Sequence, residues 1–121
     1  MNKNIDSFFH HWELISFPYD DINNMYENTI VGLINYNGNV HILNIEALYP
    51  RRGCGTRVMR KLLELSNEYE IVLDLFAKPL YDSDRYINNP HKLVNWYKSF
   101  GFIELYYDND CGYYMKSEWQ S

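Results

Sequence analysis

A chain of 121 residues that is 46% hydrophobic and 17% aromatic has the size of one domain, and folding at this length buries roughly two-thirds of the unfolded surface, which excludes a disordered segment. Eleven basic against sixteen acidic residues leave a net charge of −5, so the chain is not built to condense as a whole on nucleic acid or an anionic membrane; a polyanion would have to meet a local patch. Cys54 and Cys111 are too isolated for a zinc knuckle or a disulfide scaffold, and a reducing compartment is expected.

From Met1 to Phe17 there is no apolar run of signal-peptide length, and Asn44, Glu46 and Asp74 interrupt the most apolar stretches, Ile42 to Leu48 and Ile71 to Ala77. Both are far short of the roughly 20 residues that span a bilayer, so a cytoplasmic protein with no membrane partner is expected. With no repeat and no Gly/Ser/Pro linker, residues 1–121 read as a single domain.

Phe8 to Phe17 reads as a first strand, and the Asp- and Asn-rich stretch Tyr19 to Asn28 as a loop or short helical turn. Thr29 to Tyr36 and Val40 to Leu48 form strand-like runs around Asn37-Gly38-Asn39, and Asn-Gly tolerates the positive φ of a tight hairpin. After Pro50 the period changes to 3.6: Val58, Met59, Leu62, Leu63 and Leu65 make an apolar stripe opposite Arg57, Arg60, Lys61 and Glu64, which predicts a helix of about three turns. Ile71 to Phe76 is again a strand, so strand, helix and strand form a right-handed crossover joining parallel neighbours.

Asn89-Pro90 is a helix start, Leu93, Val94, Tyr97 and Phe100 keep helical spacing, and Gly101 is the expected left-handed stop. Phe102 to Tyr107 and Tyr113 to Trp119 then close an antiparallel hairpin around Asn109 to Gly112. The order β, β, β, α, β, α, β, β defines an α/β (α+β) fold: a mixed, mostly antiparallel sheet with one central parallel pair and about two main helices.

Five of the eleven basic residues, Arg51, Arg52, Arg57, Arg60 and Lys61, fall in an acid-free window around Gly53-Cys54-Gly55. Free N–H groups and the positive dipole end at a helix N-terminus, with glycines that admit a bulky anion, suit a pyrophosphate. Taken alone, the glycines could equally tighten a turn beneath a solvated arginine face. Walker-type and dinucleotide motifs are not met: there is no Gly-Lys-Ser/Thr signature, and Gly53-Cys54-Gly55-Thr56-Arg57-Val58 lacks the third glycine. Further on, Tyr97-Lys98-Ser99-Phe100-Gly101-Phe102 reads Y-x-x-x-G-F from helix into strand.

These two motifs, in this order, resemble the GNAT superfamily of acetyl-CoA-dependent N-acetyltransferases, in particular its small phage and mobile-element members, over about Thr29 to Trp119. In that family a strand is followed by Gln/Arg-x-x-Gly-x-Gly/Ala opening a helix; Arg52 to Arg57 takes this motif with Arg57 where Gly or Ala is usual. The resemblance implies acetyl-CoA as cosubstrate, held by Ala47, Leu48, Arg52, Gly53, Cys54, Gly55, Thr56 and Arg57, with an oxyanion held by a backbone N–H near Leu48. It also implies Tyr97 as general acid at the leaving thiolate. The region before Thr29 is a reduced acceptor-side half by family standards, and monomer and homodimer both stay open.

A lysine-type amine lies about 3.4 units from neutral at pH 7, so deprotonating it costs roughly 4–5 kcal/mol, which a positioned base lowers. Strict strand alternation puts Ile42, Asn44, Glu46 and Leu48 on one face and His41, Leu43, Ile45 and Ala47 on the other, so Glu46 is the candidate base, set against a plain surface carboxylate. Tyr97 has a core role as its alternative, because it shares a stripe with Leu93, Val94 and Phe100. Asp74 either lines the acceptor cleft or hydrogen-bonds across it.

His10 and His11, adjacent in a strand, would point to opposite faces, and no metal site is expected. A covalent role for Cys54 lacks a motif placing a histidine beside it. The expected activity is direct acetyl transfer to a primary amine on a protein (lysine or N-terminus) or small molecule, which the net negative charge favours. The alternative is a catalytically silent GNAT-like interaction module that still binds CoA. A nucleic-acid patch at Arg51 to Lys61 ranks last, because it lacks interleaved aromatics.

Overall fold

The computed structural model describes residues 3–49, 52–78 and 90–117. Arg51, the Asn89 cap, the stretch from Tyr81 to Asn89 and the end of the last expected strand at Trp119 lie outside these residues. The element order is α1 (Lys3–Ile15), β1 (Phe17–Pro18), β2 (Asn23–Tyr26), β3 (Thr29–Tyr36), β4 (Asn39–Ala47), α2 (Cys54–Tyr69), β5 (Leu73–Ala77), α3 (Pro90–Lys98), β6 (Ile103–Asp108) and β7 (Gly112–Lys116). The strands form one seven-stranded sheet in the order β1-β2-β3-β4-β5-β7-β6, with β4–β5 its parallel pair. The expected mixed sheet is present, with three helices among the described residues.

The expected strand at Phe8 to Phe17 is instead the C-terminal part of α1 with the first residue of β1. Ile5, Phe8 and Trp12 are buried and Ile15 packs behind them, a 3-4-3 spacing that places all four on one helical stripe. Aromatic β-propensity suggested a strand, but burial of that stripe decides the outcome. His10 and His11 are therefore about 100° apart on a helix rather than on opposite strand faces. His11 Nδ1 lies 2.8 Å from the Tyr69 hydroxyl on α2, tying the two helices together.

The expected loop between Tyr19 and Asn28 contains β2. Asp20 Oδ1 accepts the N–H groups of Ile22 and Asn23 at 2.8 and 2.7 Å, forming the turn before it. The Asn23 side chain and those two amides hold the Asp20 carboxyl below its ordinary range. Glu27 and Asn28, with φ of 50° and 57°, make the next two-residue turn. In the β3–β4 hairpin Asn37 and Gly38 both have positive φ, 53° and 85°, the geometry whose twist matches paired strands.

All three helices pack on one sheet face, where Val31, Leu33, Val40, Ile42, Leu73, Leu75 and Met115 meet α1, α2 and Val94 of α3 in a single core. On the second face, over the central strands, stand Tyr36, His41, Asp74, Phe76 and Tyr114, and no described helix covers them. No helix among the described residues is long and apolar enough to cross a membrane.

Candidate functional site

The turn into α2 begins at Gly53, whose φ of 76° is left-handed and whose position at the N-cap carries no side-chain cap. The first-turn amides of Cys54, Gly55 and Thr56 are therefore uncapped, and α2 has no acidic residue in its first turn to compete for them. A left-handed residue at 53 favours glycine, which adopts that φ without the Cβ clash. At Gly55 a side-chain carbon would stand 3.8 Å from the Trp96 ring, so this turn is backed by α3.

Arg57 takes a different place from the other residues of the motif. Its amide donates to the Gly53 carbonyl at 3.0 Å, so the open set of amides stops short of it. Its half-exposed side chain folds back over the turn: Nη1 donates to the Arg52 carbonyl at 3.2 Å, Nη2 approaches Cys54 Sγ at 3.2 Å, and Nε lies 3.8 Å from Glu27 Oε2. The guanidinium thus braces the carbonyl side of the turn, and no described residue is seen to hydrogen-bond the amides of Cys54 to Thr56. Arg52 is exposed beside it, and Cys54 is buried with a free thiol.

β4 and β5 pair only over Val40↔Leu73, His41↔Asp74 and Ile42↔Leu75, then part. The Leu48 amide donates to the Asn28 carbonyl at 2.9 Å, so it faces β3. Since amide directions alternate along a strand, the neighbouring Ala47 amide turns to the β5 side, where the partner strand has diverged. Of the expected pair Ala47 and Leu48, Ala47 offers its backbone to the gap.

Tyr97, on α3, sits on the helical side with its ring against Trp96 and Phe102, at centroid distances of 5.0 and 5.8 Å. Desolvation pushes its phenol up to about 12, so it remains a proton donor at neutral pH. Its hydroxyl makes no hydrogen bond among the described residues. Gly101, with φ of 95°, ends the helix as expected and delivers Phe102 into the sheet.

Strict alternation along β4 does not hold. Gly32 faces Asn44 while Leu33 faces Ile42, so Leu43 is an extra residue, a β-bulge, on β4. Ile42 and Ile45 consequently share the core face, whereas His41, Asn44 and Glu46 share the open one. Glu46 is exposed, lies four residues past the last β4–β5 rung, and is across the sheet from Tyr97. Asp74 hydrogen-bonds on this face: its carboxylate takes Asn39 Nδ2 at 3.2 Å, His41 Nδ1 at 2.6 Å and the Tyr114 hydroxyl at 2.6 Å. Periodicity could not find this cluster, because His41 and Asp74 meet through the parallel pairing of β4 with β5, which residue spacing does not state.

No family model and no curated protein matches the chain. Among solved structures it is similar to the anti-CRISPR protein AcrVA5, at 22% identity and a TM-score of 0.57 over 78% of this chain and 95% of that one. It is also similar to the PaiA N-acetyltransferase of Thermoplasma acidophilum in complex with coenzyme A, at 11% identity and a TM-score of 0.56, covering 80% of this chain and 58% of that one. The ribosomal-protein-S18-alanine N-acetyltransferase of Escherichia coli matches over all of this chain and 92% of its own, at 14% identity and a TM-score of 0.54. The chain has the GNAT fold.

Proposed function

We propose that the protein transfers an acetyl group from acetyl-CoA to a primary amine. The observation that carries this reading is the uncapped, glycine-started N-terminus of α2 placed directly after a strand that has parted from its parallel neighbour. An uncapped helix start favours a pyrophosphate, and past the last β4–β5 rung the Ala47 backbone faces the side β5 has left, so on this reading an extended amide-bearing chain completes the ladder there. On this reading Gly53 to Thr56 hold the diphosphate through main-chain amides, Arg52 adds charge, and Arg57 acts by bracing the turn.

Acyl transfer then needs a donor where the thiolate leaves, and on this reading the Tyr97 phenol, protonated at neutral pH, supplies it. A neighbour of the same fold crystallised with coenzyme A, and another named for acetylating a ribosomal protein, support the reading at the level of architecture. The net charge of −5 favours a cationic acceptor, a protein lysine or N-terminus or a small amine. Incubating the full chain with isotope-labelled acetyl-CoA, cell-extract proteins and small amines, followed by mass spectrometry, is expected to show label in amide linkage to amine nitrogens. Label confined to free acetate and unreacted thioester would contradict the proposal.

A further inference from the structure

Resting on that reading, we infer that His41, held by Asp74, is the base that deprotonates the acceptor, and that the aromatic sheet face around it receives a lysine-type primary alkylammonium. Asp74 is buried on β5, and an ionised carboxylate only accepts hydrogen bonds. Its 2.6 Å contact with His41 Nδ1 therefore places the ring proton on Nδ1 and leaves the Nε2 lone pair bare. The second carboxylate oxygen is already fixed by Tyr114 and Asn39, so the carboxylate cannot turn away. This is the arrangement in which a carboxylate orients an imidazole and stabilises the imidazolium formed when it takes a proton.

Nε2 points away from Asp74, and no described residue hydrogen-bonds it. The rings of Tyr36 and Phe76 stand edge-on to the imidazole at 5.6 and 5.8 Å, and Tyr114 and Tyr106 stack beside Phe76. Such walls favour an alkylammonium through its stem and its charge. The dyad occupies the last rung but one before β4 and β5 part, on the face opposite the helices. A carrier seated at α2 and an amine approaching from the open face would meet in the gap.

The step balances. One ammonium proton passes to Nε2 and on to solvent; the freed nitrogen bonds to the acetyl carbonyl carbon; the C–S bond breaks; and the thiolate gains the second proton lost from nitrogen, with the Tyr97 hydroxyl at the sulfur. Net, one amide, one thiol and one released proton are formed. On the same sheet face as the imidazole stand Tyr36 on β3, Asn39, Asn44 and Glu46 on β4, Asp74 on β5, and Tyr114 and Lys116 on β7, with Tyr106 of β6 stacked on Tyr114. Desolvation and the hydrogen bond to Asp74 hold the Tyr114 phenol well above its usual range, so it stays protonated and keeps donating to the carboxylate.

The test uses the full chain with 15N-labelled histidine, acetyl-CoA and a peptide carrying a single lysine. At neutral pH the His41 resonances are expected to show the Nδ1–H tautomer; an Nε2–H tautomer would overturn the inference without any assay of turnover. His41→Gln is expected to lower kcat at least 100-fold and to leave the acetyl-CoA dissociation constant within twofold. Asp74→Asn, whose amide can donate to Nδ1 and force the other tautomer, is expected to lose as much; should it not fold, His41→Gln decides. Full turnover by His41→Gln would overturn the base assignment while leaving acetyl transfer intact. Peptide left unmodified by a wild-type chain that binds acetyl-CoA would overturn the lysine-type acceptor, and failure to bind acetyl-CoA would overturn the proposed function itself.

Discussion

Phe8→Ala is expected to destabilise the protein by about 3–5 kcal/mol, the range for emptying a fully buried phenylalanine site. Phe8 is 0% exposed and joins α1 to the sheet core alongside Ile5 and Trp12. A domain of this size has only about 5–15 kcal/mol of stability in all, so the variant should lose a large part of it. With a urea slope of about 1–3 kcal/mol/M, the unfolding midpoint should fall by at least about 1 M. Leu14→Ala, on the exposed side of the same helix, should stay within about 0.5 kcal/mol of the parent. Equal small losses at both positions would mean that α1 does not seal the core.

Tyr97→Phe is expected to lower kcat about 100-fold or more while leaving acetyl-CoA affinity unchanged, because on the proposed reading the hydroxyl contributes when the thiolate departs rather than when the carrier binds. The phenol is desolvated and pushed up to about 12, so its protonated form persists as pH rises. Activity that depends on it should therefore show no falling limb assignable to this tyrosine below about pH 11. Unchanged kcat in the variant would return Tyr97 to a packing role against Trp96 and Phe102.

Much of the fold was legible because its signals were local. Asn37-Gly38, the 3.6-residue stripe of Val58, Met59, Leu62 and Leu65, and Gly101 as a left-handed stop each state their structure within a few residues, and each is present. The failure at α1 has the opposite cause. Phe8, Phe9, Trp12 and Phe17 suggest a strand by residue type, and only the spacing from Ile5 to Ile15 reveals the helix. β2 was missed because Glu27-Asn28 carries no glycine to announce a turn, although both residues adopt left-handed φ.

The candidate site was legible in part. The turn from Arg52 to Thr56 that opens α2 was legible because glycines between a strand-like run and a helical stripe mark such a turn. The Arg57 guanidinium bracing Arg52 and Cys54 depends on how a long side chain folds back, which spacing does not determine. His41 and Asp74 are 33 residues apart in sequence and meet only through parallel pairing. The bulge at Leu43 then places Glu46 on their face, reversing a parity argument that a regular strand would have satisfied.

The central claim is that the main-chain amides from Gly53 to Thr56 grip the diphosphate of acetyl-CoA, and calorimetric titration of the full chain with acetyl-CoA tests it most directly. The account predicts saturable binding of one acetyl-CoA per chain that Gly53→Asp abolishes, since a carboxylate at that position would repel the diphosphate. No heat at about 1 mM acetyl-CoA, a level that detects binding free energies as weak as ~4 kcal/mol, or undiminished binding by Gly53→Asp, would contradict it.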